Sequence, residues 1–515
     1  MTDQFPDGQT PLLDALLAHA RSGRSSWHTP GHSAGQAWPA WFRHCLADID
    51  LTELPTTDDL NRPTGPANRA MALAAEVCGA GLTRFITGGS TTAIHIMLAC
   101  AVGFGGTLMV ARTCHRSVLH AAALLNLTIL PLQQTGFPPP DEFTQQPRLT
   151  LLPQATAADV DKALAENPQC QAVLLTSPDY YGGCAATRAI AQVVHRRGAL
   201  LLVDEAHGAH LSYDRDHRLP VSALASGADA CAQSGHKTLP VLTGGAFLHF
   251  GRAAVTNDCL IAARLDRLTA VFQTSSPPFP IAASLDYARK LLTETGAARI
   301  SQQLAHLAAF RGRLNSRLTC QPDRRIPTAE AGHPGSSGLD RDPLRIVITM
   351  SDEDDVTVTP FLTRQLFDNG VDIEFADLTR LVLIPSLWQQ ESDWNQLSGI
   401  LNIAAATLQV ADRSSCERSR KLLALEANWR TSWQPLQQAM PLQEALLAKR
   451  PIRQLTLEEA VGLIAARSVA PYPPGIALIW PGERVDQDRV DFVRQLLENN
   501  ISISGIDAGK VQVFA

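Results

Sequence analysis

Between about residues 66 and 250, short apolar runs alternate with stretches whose apolar residues recur at helical spacing. RFIT (84–87), TLMVA (107–111), LTIL (127–130), LTLL (149–152), AVLLT (172–176), ALLLVDEA (199–206) and GGAFLHF (244–250) read as strands, and amphipathic stretches such as 185–197 separate most of them. This alternation predicts an open α/β sheet covered by helices on both faces. Ligands in such sheets bind at the carboxyl ends of the strands, so the residues just after each apolar run carry the functional interest.

Further on, LRIVITM (344–350), a helix near 357–370, LVLIPS (381–386) and a helix near 391–410 predict a smaller α/β unit. The segment 321–342, rich in Pro, Gly, Ser and charge, reads as an exposed loop before it. A last unit from about Cys416 opens with a charged helix and includes PYPPGIALIWPGE (471–483). The expected organisation is an N-terminal arm (1–50), a large domain (51–298), a small α/β domain (299–412) and a C-terminal α+β domain (413–515).

Composition narrows the field. The 515 residues carry a net charge of −6 with no long run of one sign, which removes the electrostatic footprint of a nucleic-acid binder. Ten cysteines without a CxxC read as buried thiols in a reducing compartment. The first twenty residues hold Asp3, Asp7 and Asp14 and lack a basic segment, so no signal peptide is expected and the cytoplasm is the expected location. The uncharged stretch between Arg84 and Arg112 imitates a membrane span, but Gly103, Gly105 and Gly106 divide it into a helix and a strand. Among 44 basic residues only six are lysines, at 162, 237, 290, 421, 449 and 510, so lysine chemistry has few places to go.

Four segments carry chemistry. Lys237, in SGHKTLP after a strand-like run, sits where a desolvated amine can form a Schiff base, although the spacing alone fits an exposed structural lysine better. Asp204 follows five apolar residues and so closes a strand, where a carboxylate can partner a protonated ring nitrogen. VDEAHGAH also resembles a helicase box, but no phosphate loop of the type GxxxxGK[ST] accompanies it. His207 and His210 lack the further ligands of a zinc site, and His28 and His32 are split by Pro and Gly, so no metal is expected. FITGGSTT puts Ser90, Thr91 and Thr92 at a helix start, a natural phosphate seat, although such a sequence is more often an ordinary cap. His115, after TLMVA, can stack on a planar ring or simply cap a helix. Taken together at the strand ends of one sheet, these signals describe a pyridoxal-phosphate pocket.

The motifs HTPGH (28–32), DLTELPTTDDLNRPTG (50–65), FITGGSTT (85–92), CHRSV (114–118), TSPDYYG (176–182), VDEAHGAH (203–210), SGHKTLP (234–240), QTSSP (273–277) and PYPPGIALIWPGE (471–483) follow one another in an order that resembles the ornithine/lysine/arginine decarboxylase family of fold-type-I pyridoxal-phosphate enzymes. The resemblance implies a fold-type-I transferase-like large domain with a mainly parallel sheet. It implies that pyridoxal 5'-phosphate is held by Lys237 as a Schiff base, with Asp204 on the pyridine nitrogen and His115 stacked on the ring. Ser90, Thr91, Thr92, Ser234 and His236 would hold the phosphate. Lys237 or a nearby histidine, His207, would handle the proton. It also implies a homodimer with the site at its interface, Ser275 or Ser276 reaching the neighbouring subunit's phosphate, and the shorter, biosynthetic kind of chain without a response-regulator-like N-terminal domain.

The implied reaction is decarboxylation of arginine, lysine or ornithine in polyamine metabolism. Transamination, aldol-type cleavage, decarboxylation of a different amino acid and a catalytically inert partner-binding homologue stay open as alternatives. The chain departs from the family's usual residues at Ser33, Ile94, Gly235, Arg467 and Ala477, where Lys, Asn, Thr, Glu and Pro are usual. Of these, Arg467 would remove a partner for a basic substrate if it lies near the pocket.

Overall fold

The computed structural model describes residues 10–134, 154–258, 261–320, 341–350, 358–377, 380–407, 438–471, 476–498 and 501–514. A short strand, β1 (Ser25–Trp27), comes first in the N-terminal arm. The main sheet follows: β2 (Ala80–Ile86), β3 (Thr107–Ala111), β4 (Thr128–Leu132), β5 (Ala172–Thr176), β6 (Leu200–Asp204), β7 (Ala230–Gln233) and β8 (Ala246–Gly251). Its order is β2-β8-β7-β6-β5-β3-β4, and every pairing is parallel except the two made by β8. The expected mainly parallel sheet is therefore present; LTLL (149–152) lies outside the described residues.

The strands read as continuous apolar runs because both faces of the sheet are covered. Leu174 and Leu202 point into a core shared with Ile94 and Met97 of the helix Gly89–Ala101 and Val118 of the helix Arg116–Leu124. Their neighbours Val173, Leu201 and Val203 point the other way, onto Val160, Ile190 and Val194 of the helices Ala157–Glu166 and Thr187–Arg196. Each buried Val or Leu of this kind contributes about 1.5–3 kcal/mol of apolar burial. The stretch from Arg84 to Arg112 is broken, as expected, into the end of β2, one helix and β3. Among the described residues no helix is long and apolar enough to cross a membrane.

A helix of 35 residues, Phe279–Arg313, runs from the main core, where Leu285 and Leu292 pack, into a second core with Leu307 and Phe310. That second core belongs to a four-stranded sheet built from β9 (Leu318–Cys320), β10 (Ile346–Met350), β12 (Phe375–Ala376) and β13 (Leu381–Leu383), while β11 (Val371–Ile373) pairs with β1. The helices Val358–Asp368 and Glu391–Thr407 cover this sheet, matching the predicted small α/β unit. Residues 321–340 of the expected loop and the charged helix expected near 416 lie outside the described residues. The C-terminal part holds a three-stranded antiparallel sheet and the helix Gln487–Glu498, an α+β arrangement.

Of two buried polar clusters, one ties the C-terminal part to the main sheet and the other lies within that sheet. Arg112, just after β3, gives its terminal nitrogens to Glu483 at 2.5 and 2.9 Å and one of them also to the Leu478 carbonyl at 3.1 Å. Its guanidinium lies 4.6 Å from the centre of the Trp480 ring, the Trp480 N–H donates to Glu483 at 2.7 Å, and only Arg112 Nε is left without a hydrogen bond. Across the sheet, His249 contacts Thr83 Oγ1 at 2.8 Å and Gln233 Oε1 at 3.2 Å, and Gln233 donates to Glu205 at 2.8 Å.

Candidate active site

Three strand ends meet around Lys237. The lysine lies in the single turn Gly235–Thr238 that follows β7, and its amine is 3.1 Å from His207 Nε2. Asp204 is the last residue of β6, buried, and accepts the Ala206 N–H at 3.2 Å. His115 caps the helix Arg116–Leu124 after β3, its Nδ1 accepting the Ser117 N–H at 3.2 Å and lying 2.8 Å from Ser117 Oγ. Capping leaves the other ring nitrogen of His115 to carry the proton of the neutral imidazole.

Burial sets the charge states. It pushes the Lys237 amine down, assisted by Arg345 and opposed by Asp204 and Glu374. It pushes the Asp204 carboxyl up, against the pull of Lys237 and the Ala206 N–H. His115 is pushed down to about 3 by burial and then by the Lys237 charge, and His207 falls well below its ordinary value for the same reasons. Both histidines are neutral at physiological pH.

The turn bearing Lys237 is clamped from outside. The Gly31 N–H donates to the His236 carbonyl at 2.8 Å, and a Cβ at Gly31 would stand 2.8 Å from the Leu239 oxygen, so only glycine allows this approach. Ser386 donates to the Gly31 carbonyl at 2.7 Å and Trp38 Nε1 to that of Pro240 at 2.8 Å. Ser234 is buried at the turn's start, with its Oγ 3.2 Å from His236 Nδ1. Gly235, where the family usually has Thr, packs so that a Cβ would lie 3.0 Å from Leu285.

Ser90, Thr91 and Thr92 occupy the first turn of the helix Gly89–Ala101, and the Thr92 hydroxyl donates to the Gly88 carbonyl at 3.0 Å. Gly89 has φ +74° with open space above it, beside a helix start whose first N–H groups have no intrahelical partner. Ser275 and Ser276 are exposed on the connection between the helices Ile261–Phe272 and Phe279–Arg313. Arg467 is half-exposed and pairs with Asp507 at 3.3 Å in the C-terminal part; Ile94 and Ala477 are buried core residues.

Sequence reasoning missed the side of the site contributed by the small unit. Arg345 is buried and places one terminal nitrogen 2.5 Å from His207 Nδ1, and Glu374 accepts the Thr29 N–H at 2.9 Å. Neither sits in a motif; the available signal was a charged residue heading the apolar run of β10 and an acid closing that of β11.

Pyridoxal phosphate fits what is present. Buried hydroxyls of Thr87, Thr176 and Thr238 and two Arg345 nitrogens lack protein hydrogen-bond partners, all close to strand ends or the Lys237 turn, and Asp204 carries a buried carboxyl that a ring-nitrogen cation would compensate. The two histidines once weighed as metal ligands are otherwise engaged: His207 with Lys237 and Arg345, His210 with Asp342 at 3.1 Å. His19, His28 and Asp372 bring donor atoms within 4.8 Å of one another, but Arg24 already holds the Asp372 carboxylate at 2.6 and 2.7 Å.

Comparison with known proteins adds the context. Residues 10–326 match the family model "Orn/Lys/Arg decarboxylase, major domain", and residues 429–508 match "Orn/Lys/Arg decarboxylase, C-terminal domain". An uncharacterized protein of Bacillus subtilis, YaaO, is 31% identical over 501 residues, covering 96% of each chain. An arginine decarboxylase of Bacillus anthracis is 29% identical, covering 96% of this chain and 95% of its own. The crystal structure of the lysine decarboxylase LdcF from Francisella novicida superposes with a TM-score of 0.75 at 18% identity, over 99% of this chain and 82% of that one.

Proposed function

The chain belongs to the Orn/Lys/Arg decarboxylase family, and we propose that it uses pyridoxal phosphate to remove the α-carboxylate of a basic amino acid, arginine, lysine or ornithine, giving an amine for polyamine metabolism. The observation that carries the reading is the half-buried Lys237 at one strand end, with the buried Asp204 carboxyl at the end of the next strand. Lys237 would hold the cofactor, Asp204 its ring nitrogen and His115 one face of its ring. The start of the helix Gly89–Ala101, with Ser90, Thr91 and Thr92, and the turn of Ser234 and His236 would hold its phosphate. When bound, the cofactor supplies an electron sink for the pair left behind as CO2 departs.

The protein's own part is positional and protonic. A neutral Lys237 amine is nucleophilic, as covalent attachment requires. The buried Asp204 carboxylate, set against the ring nitrogen, would favour the protonated form of that nitrogen. His207 Nε2 and Lys237 Nζ, 3.1 Å apart, can hold and return the proton that replaces CO2 on the substrate carbon. The exposed Ser275 and Ser276 are assigned to the phosphate of a second copy, which makes a homodimer the working unit.

Incubating the purified protein with arginine, lysine and ornithine, and identifying products, tests the reading. Release of CO2 with one amine is the expected result. Keto acid without CO2 would instead mark a transaminase built on the same fold.

A further inference from the structure

Both nitrogens of the buried His207 ring are engaged, by partners of different kinds. Nδ1 lies 2.5 Å from an Arg345 terminal nitrogen and Nε2 lies 3.1 Å from Lys237 Nζ. A guanidinium has only N–H donors and no acceptor, so Nδ1 must present its lone pair. The single proton of the neutral imidazole then resides on Nε2, facing the lysine. That contact is a hydrogen bond only when the amine accepts, which requires Lys237 to be uncharged. A doubly protonated ring would set N–H against N–H on the arginine side.

We propose that Arg345 is a positioning residue: it fixes His207 in the Nε2–H form, and His207 in turn holds Lys237 as a free amine with a proton-bearing nitrogen beside the reacting atoms. The proposal rests on the reading of Lys237 as the cofactor-bearing lysine. The placement of Arg345 is itself enforced. Asp342 accepts the Leu344 N–H at 2.9 Å to form the turn before β10. Gly182, at φ +89°, lies so close that a Cβ there would stand 2.6 Å from the Arg345 Cβ.

Charge alone does not decide the state of the lysine. Asp204 and Glu374 favour the ammonium, while burial and Arg345 oppose it. Around His207, burial first and then positive charge on Lys237 or Arg345 disfavour protonation, His115 and His236 face the same ring, and the Tyr180 ring stands 5.2 Å away. The directed hydrogen bond from His207 adds what the opposed charges leave open.

Neutron diffraction from crystals of the full-length, cofactor-free chain reads the protons directly. The expected result is hydrogen on His207 Nε2 and none on Nδ1; hydrogen on Nδ1 overturns the proposal without any variant. Two substitutions then separate donation from charge. Arg345→Gln keeps an N–H donor without the charge, and Arg345→Met removes both. The readout is the rate at which added pyridoxal phosphate forms its covalent absorbance band, measured against pH. Arg345→Met is expected to slow this about tenfold at pH 7, with the midpoint of the pH profile moved up by about one unit, and Arg345→Gln to stay within about threefold of the wild type. Equal shifts in the two variants mean that the arginine acts through charge alone, and the proposal falls. Cofactor uptake with the expected pH dependence, but no CO2 from any basic amino acid, defeats the functional reading and leaves the assignment of Arg345 standing.

Discussion

Arg112 and Arg345 are both buried, but they sit in opposite kinds of environment. Arg112 is paired with Glu483 through two nitrogens, bonded to a carbonyl and covered by Trp480. Arg345 offers one nitrogen to a neutral histidine and leaves two without a partner. Buried polar groups are normally satisfied, because an unpaired one keeps its full desolvation cost. The paired cluster is what architecture requires; the open cluster is what a ligand would complete. The Thr83–His249–Gln233–Glu205 chain belongs with the first kind, and the unpaired hydroxyls of Thr176, beside Asp204, and Thr238, beside Lys237, belong with the second.

If this division holds, the open region governs turnover and the paired region governs folding. Lys237→Ala should lower turnover by about 10^4-fold or more and abolish the cofactor adduct fixed by borohydride, while the cofactor-free chain stays at least as stable to urea. An adduct that persists in this variant removes Lys237 from its role. Glu483→Gln should do the reverse. It leaves the Arg112 charge buried and uncompensated, at a cost of about 3–5 kcal/mol in urea unfolding. A loss under about 1 kcal/mol would show that the contact is not architectural.

Asp204→Asn returns to the open region, with turnover expected to fall about 100-fold or more and no loss of stability in the cofactor-free chain, since the wild-type carboxyl is already disfavoured by burial. The smallest effect concerns pH. Burial pushes His249 down to about 3, so the folded chain resists a proton that the unfolded chain accepts near 6.5. Its contribution to stability is therefore full above about pH 6.5 and is lost as the pH falls from there toward about 3. At pH 5 this one histidine should cost about 2 kcal/mol relative to pH 8. His249→Gln should flatten that part of the stability profile; an unchanged slope would assign the acid sensitivity to other groups, such as His115 or His32.

The same division explains what could be read from the chain beforehand. Strands β2, β3, β5, β6 and β8 were legible because a sheet covered on both faces needs uninterrupted apolar runs. Asp204 and Lys237 were legible because chemistry at a strand end interrupts such runs at once. Arg345 and Glu374 were not, since they reach the site through a unit whose strands lie more than a hundred residues further along, and no local pattern records that approach. The Arg112–Glu483 pair is hidden for the same reason: in the sequence the arginine only bounds an uncharged stretch, and the glutamate only ends PYPPGIALIWPGE. Gly235 was noted as a departure from the family, but its reason, the proximity of Leu285 from the long helix, exists only in three dimensions.

The Arg112–Glu483 contact also bears on the order in which the protein is made. His115 is only three residues beyond Arg112, yet the carboxylate that compensates this arginine is supplied by Glu483. A nascent chain therefore carries Lys237, Asp204 and His115 long before the support beside His115 can close. The ribosome must deliver residue 483, 371 residues after Arg112, before this corner of the site can take its final form.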